Sequence, residues 1–209
     1  SRGDYLDAAS GTGAALTFVP GFARAHDRPA PAEGATESPE ALRLPTLHDG
    51  EGAANDDDWQ RNVWFDKRKV RGEDNDDGRF AIDLKKAVDV SRISTFTWHS
   101  GNRSRQHGDV FGSDAEGVDV AAADPLAAGW AKIATVDSNA LGEGDKHGVT
   151  IARENGLGRF RHLLFLVRSG GAFFSEIDVF ADKFRATVDA TGPSLQHMAC
   201  GLRGDQGPR

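Results

Sequence analysis

The chain has 209 residues, 38% of them hydrophobic, and a formal net charge of −7. That length supports one domain with a real core plus tails, and the acidic balance argues against nucleic acid as a partner. No run of about 18 apolar residues is present to cross a membrane as a helix, and a lone cysteine, Cys200, excludes an internal disulfide. The 25 glycines and 8 prolines suit a fold of many turns and short strands.

Taken in order, Ala14 to Phe22 is apolar and predicts a strand that joins a sheet. Arg28 to Pro39 is rich in Pro, Ala and Glu and reads as a linker or irregular loop. Arg2-Gly3-Asp4 and Arg203-Gly204-Asp205 match the integrin tripeptide, a motif too short to carry adhesion alone. Leu42 to Leu47 leads into a turn signal, His48-Asp49-Gly50, and a polar run from Glu51 to Asp58 follows. Between residues 49 and 83 eleven acidic side chains face six basic ones, so most of the net charge lies in that segment. Such a cluster suits a cation or a solvated loop.

Strands then come at regular spacing. Asn62 to Phe65 is short, and a charged loop or hairpin runs from Lys67 to Gly78. Arg79 to Leu84, Ile93 to Trp98 and Trp130 to Val136 alternate apolar with polar; His107 to Ser113 is weaker and Gly148 to Ala152 brief. Arg161 to Val167 is continuously apolar, as a central strand would be. Phe173 to Phe180 alternates again, setting Phe173, Ser175, Ile177 and Val179 on one side and Phe174, Glu176, Asp178 and Phe180 on the other. Glu176, a carboxylate among Phe and Ile, calls for a cation. Many short strands without a long amphipathic helix predict an all-β, antiparallel sandwich of about eight core strands. Residues 1–41 read as an extension with an extra strand, 42–181 as the sandwich, and 182–209 as a tail.

Five of these strands carry a family likeness. Asp77 to Leu84, Ile93 to Trp98, Gly129 to Ala134, Arg161 to Phe165 and Phe174 to Val179 resemble, in order and spacing, the strands of discoidin-like modules. These are the coagulation-factor type C group of the galactose-binding-like superfamily, which includes bacterial carbohydrate-binding modules. The resemblance implies a jelly roll that binds sugars through loops at one end. It also implies a structural calcium held between an early Asp-Gly bend and the glutamate of the last strand. Asp49 and Glu176 stand at those positions, with Asn55 and one of Asp56, Asp57 and Asp58, here Asp57, supplying further oxygens. The competing reading is a solvated acidic loop, with Glu176 paired to an arginine. The acidic stretch from Glu73 to Gly78 is not an EF-hand, since its twelfth loop position would be Leu84. The acidic Glu51–Asp58 insert and a long loop from Ser138 to Asn155 depart from the family pattern.

Sugars are held by aromatic faces under the ring and by planar polar groups at the hydroxyls. Trp98, His99, Asn102, Arg103 and Arg105 supply both in one stretch, and Lys146 and His147 on the long loop join them. The alternative for Trp98 is a core position. No H-E-x-x-H, G-x-S-x-G or phosphate-loop pattern occurs. The sequence therefore predicts an extracellular or periplasmic calcium-stabilised module that recognises a polysaccharide or glycan. An adhesion module of the same fold and a small polysaccharide lyase or hydrolase are the alternatives.

Overall fold

The computed structural model describes residues 4–19, 41–56, 58, 61–65, 78–168 and 172–181. Asp57, the 28–39 linker, the 66–77 segment and the 182–209 tail with Cys200 and the second Arg-Gly-Asp lie outside them.

Among the described residues nine strands form two antiparallel sheets: β1 Ala15–Phe18, β2 Val63–Phe65, β3 Gly78–Val90, β4 Arg92–Trp98, β5 His107–Ser113, β6 Ala131–Asp137, β7 Lys146–Ala152, β8 Gly158–Val167 and β9 Ala172–Phe180. One sheet has the order β1-β3-β8-β5-β6 and the other β2-β9-β4-β7. The predicted antiparallel sandwich is the observed fold. β8, whose 163–167 stretch is continuously apolar and buried, is central, as that run predicts. The remaining described elements are short 3₁₀ turns, of which Ala41–His48 is the longest.

The core lies between the sheets and is aromatic at its centre. Phe80 of β3 stacks on Phe165 of β8 at 4.5 Å, and Phe65 and Phe174 of the other sheet meet Phe80 at 4.5 and 5.6 Å. Leu6 and Leu16 reach the same core, and Asp4 bridges to Phe180, so residues 4–19 are part of the sandwich. The long connection is 114–130, between β5 and β6. It covers the outer face of the five-stranded sheet with Trp130 against Phe111, Leu164 and Leu166. The Arg79 guanidinium holds this flap by donating to the carbonyls of Ala122 (2.6 Å) and Val120 (3.4 Å). The loop expected over Ser138–Asn155 is interrupted: β7 begins at Lys146 and pairs along β4.

Two stability predictions follow from the five-stranded sheet. A Cβ at Gly108 would lie 2.0 Å from the Leu166 carbonyl oxygen on the neighbouring strand. Gly108→Ala is expected to cost about 1–3 kcal/mol, read as a lower denaturant midpoint at unchanged slope. Asp109, 3% exposed, accepts from Thr135 and pairs with Lys132 and Arg168. Burial alone would raise its carboxyl, but Lys132, Arg168 and Thr135 outweigh it and hold the group below its usual value. A lowered folded value means stability that is present above the unfolded value near 3.8 and lost as pH falls through the folded one. Asp109→Asn should flatten the stability-versus-pH curve in that acid range and cost about 1–3 kcal/mol at neutral pH.

Candidate functional site

Alternation along β4 decides which side chains face outward. Ile93, Thr95 and Thr97 turn inward and are buried, while Phe96 is 40% exposed and Trp98 half-buried. Two residues apart on one strand, their Cα atoms stand about 7 Å apart and their side chains leave the same face. Phe96 pairs with Gly148 on β7, whose missing side chain keeps that flank of the ring open. Trp98 pairs with Lys146, and the ammonium sits 3.9 Å from the indole centroid. The bend at residues 50–53 rises beside this face. Together they enclose an open cleft of about 320 Å³, whose other wall is Ser175, Glu176 and Asp178 of β9.

The β9 wall differs from strict alternation. Phe174 pairs with Thr97 and Glu176 with Phe96, so Ser175 is an extra residue in that ladder. This bulge turns Phe174 into the core, whereas alternation alone put it beside Glu176. Past the bulge, Glu176 and Asp178 share a face. Carboxylate oxygens of Asp4, Glu176 and Asp178 all lie within 4.8 Å of one another, and the residues are only 3%, 6% and 7% exposed. Burial first, then the charges of Asp178, Asp49 and Asp4, push the Glu176 carboxyl up to about 8 against a bond from Gly50 N–H. Burial, with a contribution from Asp178, likewise raises Asp4 to about 6, opposed by bonds from the Val179 and Leu6 N–H groups.

The expected cation ligands are therefore regrouped. The bend does reach the last strand, since Gly50 N–H donates to Glu176 Oε1 at 3.2 Å. Asp49 itself is exposed and faces away: its carboxylate accepts from Glu51 N–H and pairs with Arg61 at 3.3 Å. Asn55 is exposed on the acidic run. Asp4 and Asp178 instead accompany Glu176. Among the described residues no arginine pairs with Glu176, and Glu176 Oε2 and Asp4 Oδ2 have no hydrogen-bond partner. Buried and all oxygen, this donor set fits a hard cation such as Ca²⁺, whose charge would favour the ionised carboxylates that burial opposes. Asp178 was legible from the two-residue period shared with Glu176, and so was Phe96 from its spacing to Trp98. Nothing local marks Asp4, whose partner Val179 is 175 positions away. Its burial also removes it from any adhesive role for the first Arg-Gly-Asp.

The expected sugar loop is placed less simply. His99 leaves β4 directly after Trp98; its Nδ1 accepts from Gly101 N–H at 2.8 Å, and its ring packs edge-on against Phe173. Asn102 is exposed and Arg103 half-buried. Arg105 is engaged by Glu143 and by Asn139. The loop is fastened to the 142–145 turn: Gly144 N–H donates to the Gly101 carbonyl, and Ser104 Oγ to the Gly144 carbonyl. Gly144 has φ +80, and a Cβ there would meet the Ser100 carbonyl oxygen at 2.8 Å. His147 lines the cleft, but its expected loop position is corrected. It lies in β7, not in a loop, and its ring is 2% exposed and bonded to Ser138 Oγ at 2.8 Å. Burial lowers its pKa, which favours the neutral ring.

No protein-family model matches the chain, and no curated protein sequence matches it. Solved structures share its fold. A SusE-like protein aligns with a TM-score of 0.51 and 12% identity, over 81% of this chain and 97% of that one. The first family 32 carbohydrate-binding module of a family 31 glycoside hydrolase from Clostridium perfringens aligns with a TM-score of 0.48 and 13% identity, over 86% and 97%. The family 32 module of C. perfringens NanJ, solved in complex with galactose, gives 0.44 and 16%, over 79% and 90%. Identities this low speak to fold alone, and the SusE-like alignment bears on the β-sandwich and nothing finer.

Proposed function

We propose that this domain is a non-catalytic, extracellular carbohydrate-binding module that grips a glycan in the cleft over β4 and β7, with Ca²⁺ bound at the Glu176 end. The observation that carries the reading is the pair of rings, Phe96 and Trp98, set side by side on an open sheet face. Phe96 leaves 40% of its surface open to the cleft beside Trp98. Under a sugar it covers the apolar C–H face, while Lys146 beside it meets hydroxyl or acidic groups. Asn102 and Arg103, on the loop that continues from Trp98, extend the contact beyond the rings. Calcium is supported by the buried carboxylates of Asp4, Glu176 and Asp178, whose crowding a divalent ion relieves.

A glycan array tests the function, with galactose, the sugar bound by the NanJ module, among the first ligands. Binding of defined glycans that is lost in Phe96→Ala supports it. Binding to no glycan, or binding indifferent to Phe96→Ala, contradicts it, and retention on protein-coated surfaces alone would favour the adhesion reading.

A further inference from the structure

The crowded carboxylates and the ring-lined cleft are not two separate features. Glu176 and Asp178 belong to the carboxylate group and also wall the cleft opposite Phe96 and Trp98. In two of the three acids one oxygen is fixed by backbone. Asp4 Oδ1 accepts from Val179 N–H at 2.8 Å and Leu6 N–H at 3.0 Å, and Glu176 Oε1 accepts from Gly50 N–H. Their second oxygens, Asp4 Oδ2 and Glu176 Oε2, are buried without a hydrogen-bond partner among the described residues. Side chains held this way are pre-oriented ligands whose remaining valence points to a cation.

We infer that a Ca²⁺-class ion held by Asp4, Glu176 and Asp178 keeps coordination positions open to the cleft, and that hydroxyl or carboxylate oxygens of the bound glycan fill them. The inference rests on the glycan reading above and gives the ion a recognition role besides a structural one. Ca²⁺ takes six to eight oxygens; with one oxygen each of Asp4 and Glu176 held by backbone N–H groups, the three carboxylates supply three or four. Water completes the shell in the free protein, and a vicinal diol or a uronic carboxylate displaces two waters at once. Bound metal and rings then act on one sugar, the ion on its polar edge and Phe96 on its apolar face. Binding requires the ion and favours glycans that offer paired oxygens.

Terbium reads the site without any glycan. Tb³⁺ replaces Ca²⁺ among hard oxygen ligands, and Trp98 in the same cleft sensitises its emission. Excitation of tryptophan should yield saturable emission that Ca²⁺ competes away and that Trp98→Phe largely removes. Asp178→Asn should weaken Tb³⁺ binding roughly 10- to 100-fold. Lifetimes in H₂O and D₂O should count about two or more coordinated waters. A site without bound water, or no sensitised emission, overturns the inference. The same protein is then taken to the glycan array in Ca²⁺ and in chelator, below its melting temperature. Binding lost in chelator supports the inference, and binding that survives chelation overturns it while leaving the glycan reading intact. Failure to bind any glycan in either condition defeats the glycan reading and, with it, the recognition role of the ion; the terbium measurement still decides the cation site.

Discussion

Free Ca²⁺ at about 100 times its Kd is expected to stabilise the folded domain by about 2.7 kcal/mol. For a domain of this size that is roughly 5–10 °C in melting temperature. A response is expected because the folded protein buries three carboxyl groups whose oxygens lie within 4.8 Å of one another. Variants separate the observed cluster from the one expected from sequence. Asp4→Asn and Glu176→Gln should abolish the calcium response. Glu176→Gln in chelator should be at least as stable as the parent, since a carboxyl raised from 4.5 to about 8 costs the fold stability at neutral pH and the amide does not. Asp49→Ala should keep the response, because Asp49 faces Arg61 rather than Glu176. Scanning calorimetry in Ca²⁺ and in chelator reads all four proteins, and identical melting in both solutions would remove calcium from the account.

The second large effect is on binding. Phe96→Ala should weaken glycan affinity by about 1.5–3 kcal/mol, roughly 10- to 100-fold in Kd. Stability should change little, because the ring is 40% exposed and belongs to neither core cluster. Trp98→Ala should lose at least as much affinity, but the indole is half-buried and its loss also costs stability. Phe96 is therefore the cleaner probe. Calorimetric titration of each variant, with unfolding curves alongside, distinguishes lost contact from lost fold.

Most of the sandwich was written in local patterns. The two-residue alternation in Arg79–Leu84, Ile93–Trp98 and the closing strand needs no long-range knowledge, and neither does the apolar run of β8. What was hidden is hidden for physical reasons. A bulge at Ser175 inverts the faces of the residues before it, and a bulge depends on the partner strand's register. His147 looked like a loop residue because β7 begins with Lys146 and His147 before its apolar positions, and pairing with β4 decides that the imidazole turns inward. Asp4 joins Glu176 only once the chain has closed on itself, so no window of sequence contains the site. The Asp49-Gly50 bend was placed rightly against the last strand, yet it contributes there a backbone N–H from Gly50, while the Asp49 carboxylate turns to Arg61.

Backbone amide shifts, followed by NMR while the best-bound array glycan is titrated in Ca²⁺, address the cleft most directly. Perturbations should concentrate at Phe96, Trp98, Lys146, Gly148 and Gly50–Ala53, spread to Asn102 and Arg103, and spare the 114–130 flap on the opposite sheet. Shifts centred on that flap, with the β4 and β7 amides unmoved, would contradict a glycan seated over Phe96 and Trp98.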